Sequence, residues 1–213
     1  MYQDPNMLAS IRKVEAAREE NIKLDPRRMT ADEKDALLKK FHPDYRTEQF
    51  TELRFGPNIT DWPAIAPMPE DISMELACVI HDPVTTTDEL IPSGETSSYR
   101  SNPMKLASFA LSRRDPEYVG RARKIKDAGG ASCIFAECPG DGSAREQAAS
   151  CQRVLGGAAN ICRKFATKRY RSNCINWGML PLTIDQGAPF DFAPGDRVEI
   201  PGARRAVESG ADE

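Results

Sequence analysis

Apolar residues follow two rhythms along this chain, and the switches between them predict its elements. Residues 74–80 are dense in apolar side chains and partly alternating, the pattern of a strand entering a core. Residues 131–136 and 158–165 are further apolar runs that read as buried strands, and residues 197–201 read as a last strand after the turn Pro194-Gly195-Asp196. Between these runs the spacing becomes helical. Asn102 caps a helix carrying Leu106, Phe109, Ala110 and Leu111, and Asp115-Pro116 opens another through Tyr118, Val119, Ala122 and Ile125 that stops at Gly129-Gly130. A third helix carries Ala148, Ala149 and Val154 and ends at Gly156-Gly157, while residues 173–180 read as a buried helix before Pro181. Strands alternating with helices predict an α/β core.

Outside that core the pattern thins. Residues 7–23 read as a charged helix with only a narrow stripe (Leu8, Ile11, Val14, Ile22), ended by Asp25-Pro26, and Thr30-x-x-Glu33 is expected to cap a short helix through Leu37, Leu38 and Phe41. Two readings are open for this stretch: a solvated pair of helices, or a linker that docks on other domains. Residues 42–72, rich in proline and aromatic residues, read as an extended connection with little regular structure, in which Trp62 is a packing anchor. Residues 203–213 are short and polar and read as a frayed tail.

Composition narrows the classes. The 213 residues, 40% hydrophobic, suffice for one sizeable core with an appended segment. A net charge of −3 offers no general attraction to nucleic acid or anionic membrane. The basic residues at 113–126 read as a solvated helix face, so nucleic acid is not expected as a partner. No run of about 18 apolar residues and no signal-peptide core is present, which predicts a soluble, cytoplasmic protein. The six cysteines have no Cys-x-x-Cys spacing and only His42 and His81 beside them, so they read as thiols packed in the core rather than metal ligands.

Candidate chemistry gathers at Gly140-Asp141-Gly142-Ser143-Ala144-Arg145-Glu146-Gln147, a glycine-rich turn between a strand and a helix. Helix-start N–H groups lack internal partners and carry partial positive charge, so an anion or alkoxide at Ser143 is stabilised, and Arg145 adds a fixed charge. The same octet also reads as a capping box, Ser143-x-x-Glu146, with the hydroxyl consumed by an N–H bond. A second candidate is the hydroxyl-rich loop Ser93-Gly94-Glu95-Thr96-Ser97-Ser98-Tyr99-Arg100, either an oxyanion-binding loop tipped by Arg100 or a self-satisfied turn network. Lys164, Lys168, Arg169 and Arg171 add positive potential further along.

The octet, with Leu155-Gly156-Gly157, Phe165-Ala166 and Arg171-Ser172-Asn173-Cys174-Ile175-Asn176-Trp177-Gly178-Met179-Leu180-Pro181-Leu182 in the same order, resembles the C-terminal swivel domain of the aconitase superfamily. The run from Thr86 to Pro103 and the blocks Phe55-Gly56-Pro57-Asn58-Ile59 and Asp61-Trp62-Pro63 are similar to a subgroup known as hydratases. The resemblance implies a three-layer β/β/α swivel domain over residues 55–202, preceded by a helical linker segment at 1–54 and followed by the tail at 203–213. It implies that Ser143 is the base that takes a proton from the carbon beside a carboxylate. Arg145 and Arg100 hold substrate carboxylates, with Ala144 and Ser98 in the substrate-contacting set. Cationic neighbours and helix N–H groups are what a serine needs to act as a base. The implied reaction is reversible dehydration of a hydroxy di- or tricarboxylic acid. Partner domains, on the same polypeptide or a separate large subunit, carry a 4Fe-4S cluster, and this chain holds no metal. The family pattern is Ser-Ser-Arg-Glu-His, whereas Ala144 and Gln147 stand at its second and last positions here. That departure keeps a second expectation open: a carboxylate-binding or interaction module without catalysis.

Overall fold

Residues 30–41 and 55–210 are described by the structure, a computed structural model. The chain divides into two units, Met1–Arg54 and Phe55–Glu213. In the first, helix α1 (Ala31–Phe41) opens with the predicted reciprocal cap. The Thr30 N–H donates to Glu33 Oε2 at 2.7 Å and the Glu33 N–H to Thr30 Oγ1 at 3.3 Å. The helix expected at 7–23 lies outside the described residues.

In the second unit, strand β1 (Ile72–Ile80) leads to the two-residue β2 (Thr85–Thr86) and helix α2 (Thr87–Leu90). A 3-10 turn at Ser97–Tyr99 and helices α3 (Pro103–Ala107) and α4 (Tyr118–Asp127) follow. Then come β3 (Ala131–Ala136), β4 (Pro139–Asp141), α5 (Arg145–Val154), β5 (Gly157–Cys162) and α6 (Lys168–Asn176). Strands β6 (Leu180–Thr183) and β7 (Arg197–Ile200) and helix α7 (Ala203–Ser209) complete it.

Five strands form one sheet in the order β6-β5-β3-β1-β7, parallel except for β7, and β2 and β4 form a second, two-stranded sheet. Successive parallel strands step one way across the large sheet, so right-handed crossovers put their helices on one face. The core there combines Ala77, Ile80, Ile134 and Ala136 of the strands with Tyr118, Ala122 and Ile125 of α4, Ala148, Cys151 and Val154 of α5, and Tyr170 and Cys174 of α6. A register shift in β1 between Leu76 and Cys78 lets Ala77 and Cys78 both join this core, which strict alternation forbids. On the other face Met74, Leu76, Cys133, Phe135 and Ile161 are covered by Ile184, Phe190 and Ala203, with Phe190 stacked on Phe135 at 3.7 Å between ring centres. The α/β class read from the sequence is the fold observed.

Four expectations change: the helix capped by Asn102 ends at Ala107, so Phe109, Ala110 and Leu111 fall in the turns after it, and three further changes concern the C-terminal third. The helix placed at 173–180 starts earlier, at Lys168, because Thr167 Oγ1 caps it by accepting from the Tyr170 N–H at 3.2 Å, and Pro181 sits inside a strand. β6 is an edge strand, where a missing N–H costs no ladder bond. The run read as a strand to 165 ends at Cys162, where Arg163 turns out to pair with Glu137 at 2.7 Å. The tail is not frayed up to Ser209. Ala203 is buried and the Gly202 N–H donates to Asp71 Oδ1 at 2.7 Å, which anchors α7 to the strand side of the core.

Candidate active site

After β3 the chain turns sharply through Gly140 (φ +97°) and Gly142 (φ +129°), both left-handed conformations that favour glycine. Space demands glycine as well. A Cβ on Gly140 would lie 2.3 Å from the Tyr170 ring, and one on Gly142 2.2 Å from Thr87 Oγ1. The turn is therefore seated directly on two buried side chains. Pairing of β4 with β2 sets Thr86 opposite Asp141, and the Thr167 hydroxyl donates to the Gly140 carbonyl at 3.1 Å. Tyr170 is itself fixed by a closed, buried triad: its hydroxyl donates to Asn160 Oδ1 and accepts from Gln152 Nε2, and Asn160 Nδ2 donates to Gln152 Oε1, each at 3.0 Å. A fully satisfied buried network of this kind rigidifies what rests on it.

Helix α5 starts at Arg145, with Ala144 at its N-cap and no side-chain cap. Ser143 lies one residue further out, exposed, and its hydroxyl makes no hydrogen bond among the described residues. The capping-box reading is thereby excluded, and its physical reason is competition from α6 and its C-terminus. Glu146 Oε1 accepts from Trp177 Nε1–H at 3.1 Å, while the Glu146 N–H meets the Asn173 side-chain oxygen at 3.0 Å, with the Asn173 amide nitrogen on the Arg169 carbonyl at 2.6 Å. Ser143 is left free at the helix start.

Arg145 is half-buried, and its Nε–H is buried without a partner. The Ala144 side chain packs into the helical-face core, so what this residue can offer a ligand is its backbone. Ser98 and Arg100 lie on the exposed 3-10 turn and its C-cap, and the Arg100 guanidinium makes no ion pair or hydrogen bond among the described residues. That turn leads directly into α3, which packs on α5. Ser143, Ala144 and Arg145 thus share one helix start with Thr87 beneath it, whereas Ser98 and Arg100 stand on a neighbouring turn. The sequence reading missed Thr87 and Asn173 as supports. The Thr86-x-x-Glu89 pattern was a visible signal for the first, since it forms a reciprocal cap (2.7 and 3.2 Å) that fixes Thr87 at the start of α2.

A cavity of about 730 Å³ lies at the opposite, amino-terminal edges of the strands, lined by Pro63, Met68, Ile72, Ala131 and Arg153 among others, and by none of the candidate site residues. The candidate chemistry is on open surface instead, which suits a site that another domain completes. Among the described residues no three of His, Cys, Asp and Glu gather as a metal site. The six cysteines are buried and unpaired by disulfides, and burial pushes the thiols of Cys133, Cys151, Cys162 and Cys174 up to about 12, which disfavours the thiolate that binds iron. No helix among the described residues is long and apolar enough to cross a membrane.

A glycine turn after a parallel strand here delivers an unengaged serine and an arginine to a helix start, where free N–H groups and a positive charge face open surface. Comparison with known proteins gives the lineage. Residues 97–187 match the aconitase C-terminal domain family, a span that contains Ser98, Arg100, Ser143, Ala144 and Arg145. The chain is 37% identical over 114 residues to the 3-isopropylmalate dehydratase small subunit of Metallosphaera sedula, covering 54% of this chain and 65% of that one. It is 45% identical over 64 residues to the mitochondrial aconitate hydratase of Schizosaccharomyces pombe, covering 30% of this chain and 8% of that one. A crystal structure of 3-isopropylmalate dehydratase from Methanocaldococcus jannaschii aligns with a TM-score of 0.48 and 26% identity, over 63% of this chain and 72% of that one. Over the matched residues the chain is similar to the swivel-type C-terminal domain of aconitase-superfamily proteins. It spans less than two thirds of the length of the curated relatives described here.

Proposed function

We propose that this chain is the swivel domain or small subunit of an aconitase-like hydro-lyase acting on a hydroxy di- or tricarboxylic acid. The observation that carries the reading is the Ser143 hydroxyl, exposed and unbonded at the start of α5 beside the partnerless Arg145 Nε–H. Ser143 takes the proton from the carbon next to a carboxylate, that C–H pair becomes the double bond, and hydroxide leaves the neighbouring carbon; hydration is the reverse. The N–H groups at the start of α5 and the Arg145 charge stabilise the serine alkoxide. Arg145 and Arg100 each grip a carboxylate, with Ser98 beside Arg100 and the Ala144 backbone beside the base. A 4Fe-4S cluster held by the partner domains would supply the Lewis acid for hydroxide departure. The two relatives named as an isopropylmalate dehydratase small subunit and an aconitate hydratase support the reaction class.

A second reading, a carboxylate-binding module without catalysis, is favoured by Gln147, which cannot titrate where the family pattern has histidine, and by the inward-facing Ala144. Ser143→Ala in the native assembly, followed by ultraviolet absorbance of the new double bond, separates the two. Loss of turnover by at least about a thousandfold with folding intact supports the hydro-lyase. Turnover equal to wild type removes Ser143 from the mechanism.

A further inference from the structure

Residues 55–69 form neither helix nor strand over almost all their length, yet they are tied down at three separated points. The Thr60 N–H donates to the Ser101 carbonyl at 2.9 Å, one residue beyond Arg100. Trp62 lies on Trp177 with ring centres 4.6 Å apart and planes at 37°, and Trp177 in turn holds Glu146, the residue after Arg145. At the far end of α5, Arg153 donates to the Ala66 carbonyl at 2.8 Å. The segment is a strap that touches first the Arg100 turn, then Trp177, which holds the start of α5, and then the end of α5. No hydrogen bond or ion pair joins the two arginine-bearing turns directly among the described residues. Burial alone does not account for the strap's grip, because Trp62 keeps 47% of its surface exposed while stacked.

We propose that this strap is a positioning element, in which Thr60 and Trp62 set the spacing between Arg100 and Arg145 and so select the length of polycarboxylate that both can hold. The inference rests on the carboxylate-binding reading above. Two guanidinium groups fix a polycarboxylate only if their separation matches that of its carboxylates. A strap bonded beside one and stacked on Trp177, which holds the residue next to the other, is a mechanical link between them in addition to the packing of α3 on α5.

The test uses the full chain with Trp62→Ala and Trp62→Phe, and with tricarballylate and succinate as probes in calorimetric titrations. An aromatic pair is worth the equivalent of about three- to tenfold in affinity. Trp62→Ala is expected to weaken tricarballylate binding by that factor and to flatten the tricarballylate-to-succinate ratio, with the thermal midpoint within about 2 °C of wild type because Trp62 is half exposed. Trp62→Phe restores the ratio. An unchanged ratio in Trp62→Ala overturns the positioning role while leaving the site reading in place. If wild type binds neither probe, the site reading fails, and amide exchange then decides the strap. Faster exchange at both Asn102 and Ala148 in Trp62→Ala, reversed in Trp62→Phe, supports the link; a change confined to residues 55–69 overturns it.

Discussion

Two stretches of this protein are rich in cations, and the structure spends most of the first (all but Arg123 and Lys124) and, apart from Arg163 on Glu137, little of the second. On the first, Arg113 pairs with Asp88 and, at 2.6 Å, with Glu95; Arg114 pairs with Asp82 and Glu89; Arg121 pairs with Asp115 and Glu117 and donates to the Ala77 carbonyl at 2.8 Å. Lys126 is spent on the Val154 carbonyl at 2.8 Å. On the second, Arg145, Lys164, Lys168, Arg169 and Arg171 make no ion pair among the described residues. Their chain segments nevertheless crowd the glycine turn: the Ala166 N–H donates to the Pro139 carbonyl at 3.0 Å and the Lys164 N–H to the Glu137 carbonyl at 3.3 Å. Cations near one another without acidic partners raise the local positive potential, and an anionic ligand is what relieves it. Charge density along a sequence says little about binding; whether the charge is already spent says much.

The comparison can be broken most decisively at the unpaired arginines. Arg100→Ala combined with Arg145→Ala is expected to weaken tricarballylate binding by about a hundredfold or more, two charge-assisted contacts being lost, with little change in unfolding midpoint. Calorimetric titration of the full chain measures this, and Arg123→Ala serves as the control expected to leave affinity unchanged. At the paired stretch the effect should fall on stability instead. Arg121→Met removes a partly buried guanidinium from a backbone carbonyl and two carboxylates, an expected loss of about 1–2 kcal/mol in urea unfolding with tricarballylate affinity unchanged. Arg113→Ala, whose side chain and both acidic partners are largely exposed, should leave the urea-unfolding midpoint nearly unchanged, any loss disappearing with added salt.

The smallest effect at neutral pH concerns groups that belong to neither stretch. Cys133, Cys151, Cys162 and Cys174 are held protonated by burial up to about pH 12, whereas unfolded thiols ionise near 8.5. The folded state therefore binds more protons than the unfolded state in that window. Stability is fully present below the unfolded pKa and falls as pH rises from about 9 towards 12. Thermal unfolding between pH 7 and 11 should show a plateau and then a decline; a midpoint that rises across this range would contradict the buried placement.

Local signals in the sequence were reliable where no distant residue competed for the same atoms. The run at 131–136, set off by Gly129-Gly130, is a strand at just those residues, and the Thr30-x-x-Glu33 cap forms as read. The same four-residue pattern at Ser143 does not form, because Trp177, 31 residues further along, takes the Glu146 carboxylate and Asn173 takes its N–H. A pattern within one turn cannot reveal a competitor that arrives by tertiary packing. Pro181 misled for a related reason: proline reads as a helix stop, and only the topology shows that it falls on an edge strand. Ala203 carries too little apolar surface to announce a helix, yet α7 is seated by that buried methyl, the Gly202–Asp71 bond and the contacts of Arg204 and Arg205 with Glu70. Of the candidate site, Ser143, Arg145 and Arg100 were legible as residue types on glycine- and hydroxyl-rich turns. Their lack of partners was not, since it depends on where every acid in the chain ends up.

The most direct test of this contrast is a nitrogen-15 spectrum of the arginine Nε–H groups of the full chain during a titration with tricarballylate. The account predicts that the Arg100 and Arg145 signals move together and saturate, while those of Arg113 and Arg121, already engaged with carboxylates, stay in place. Uniform small shifts of all arginines, or movement of Arg113 and Arg121 with Arg145 unmoved, would contradict it.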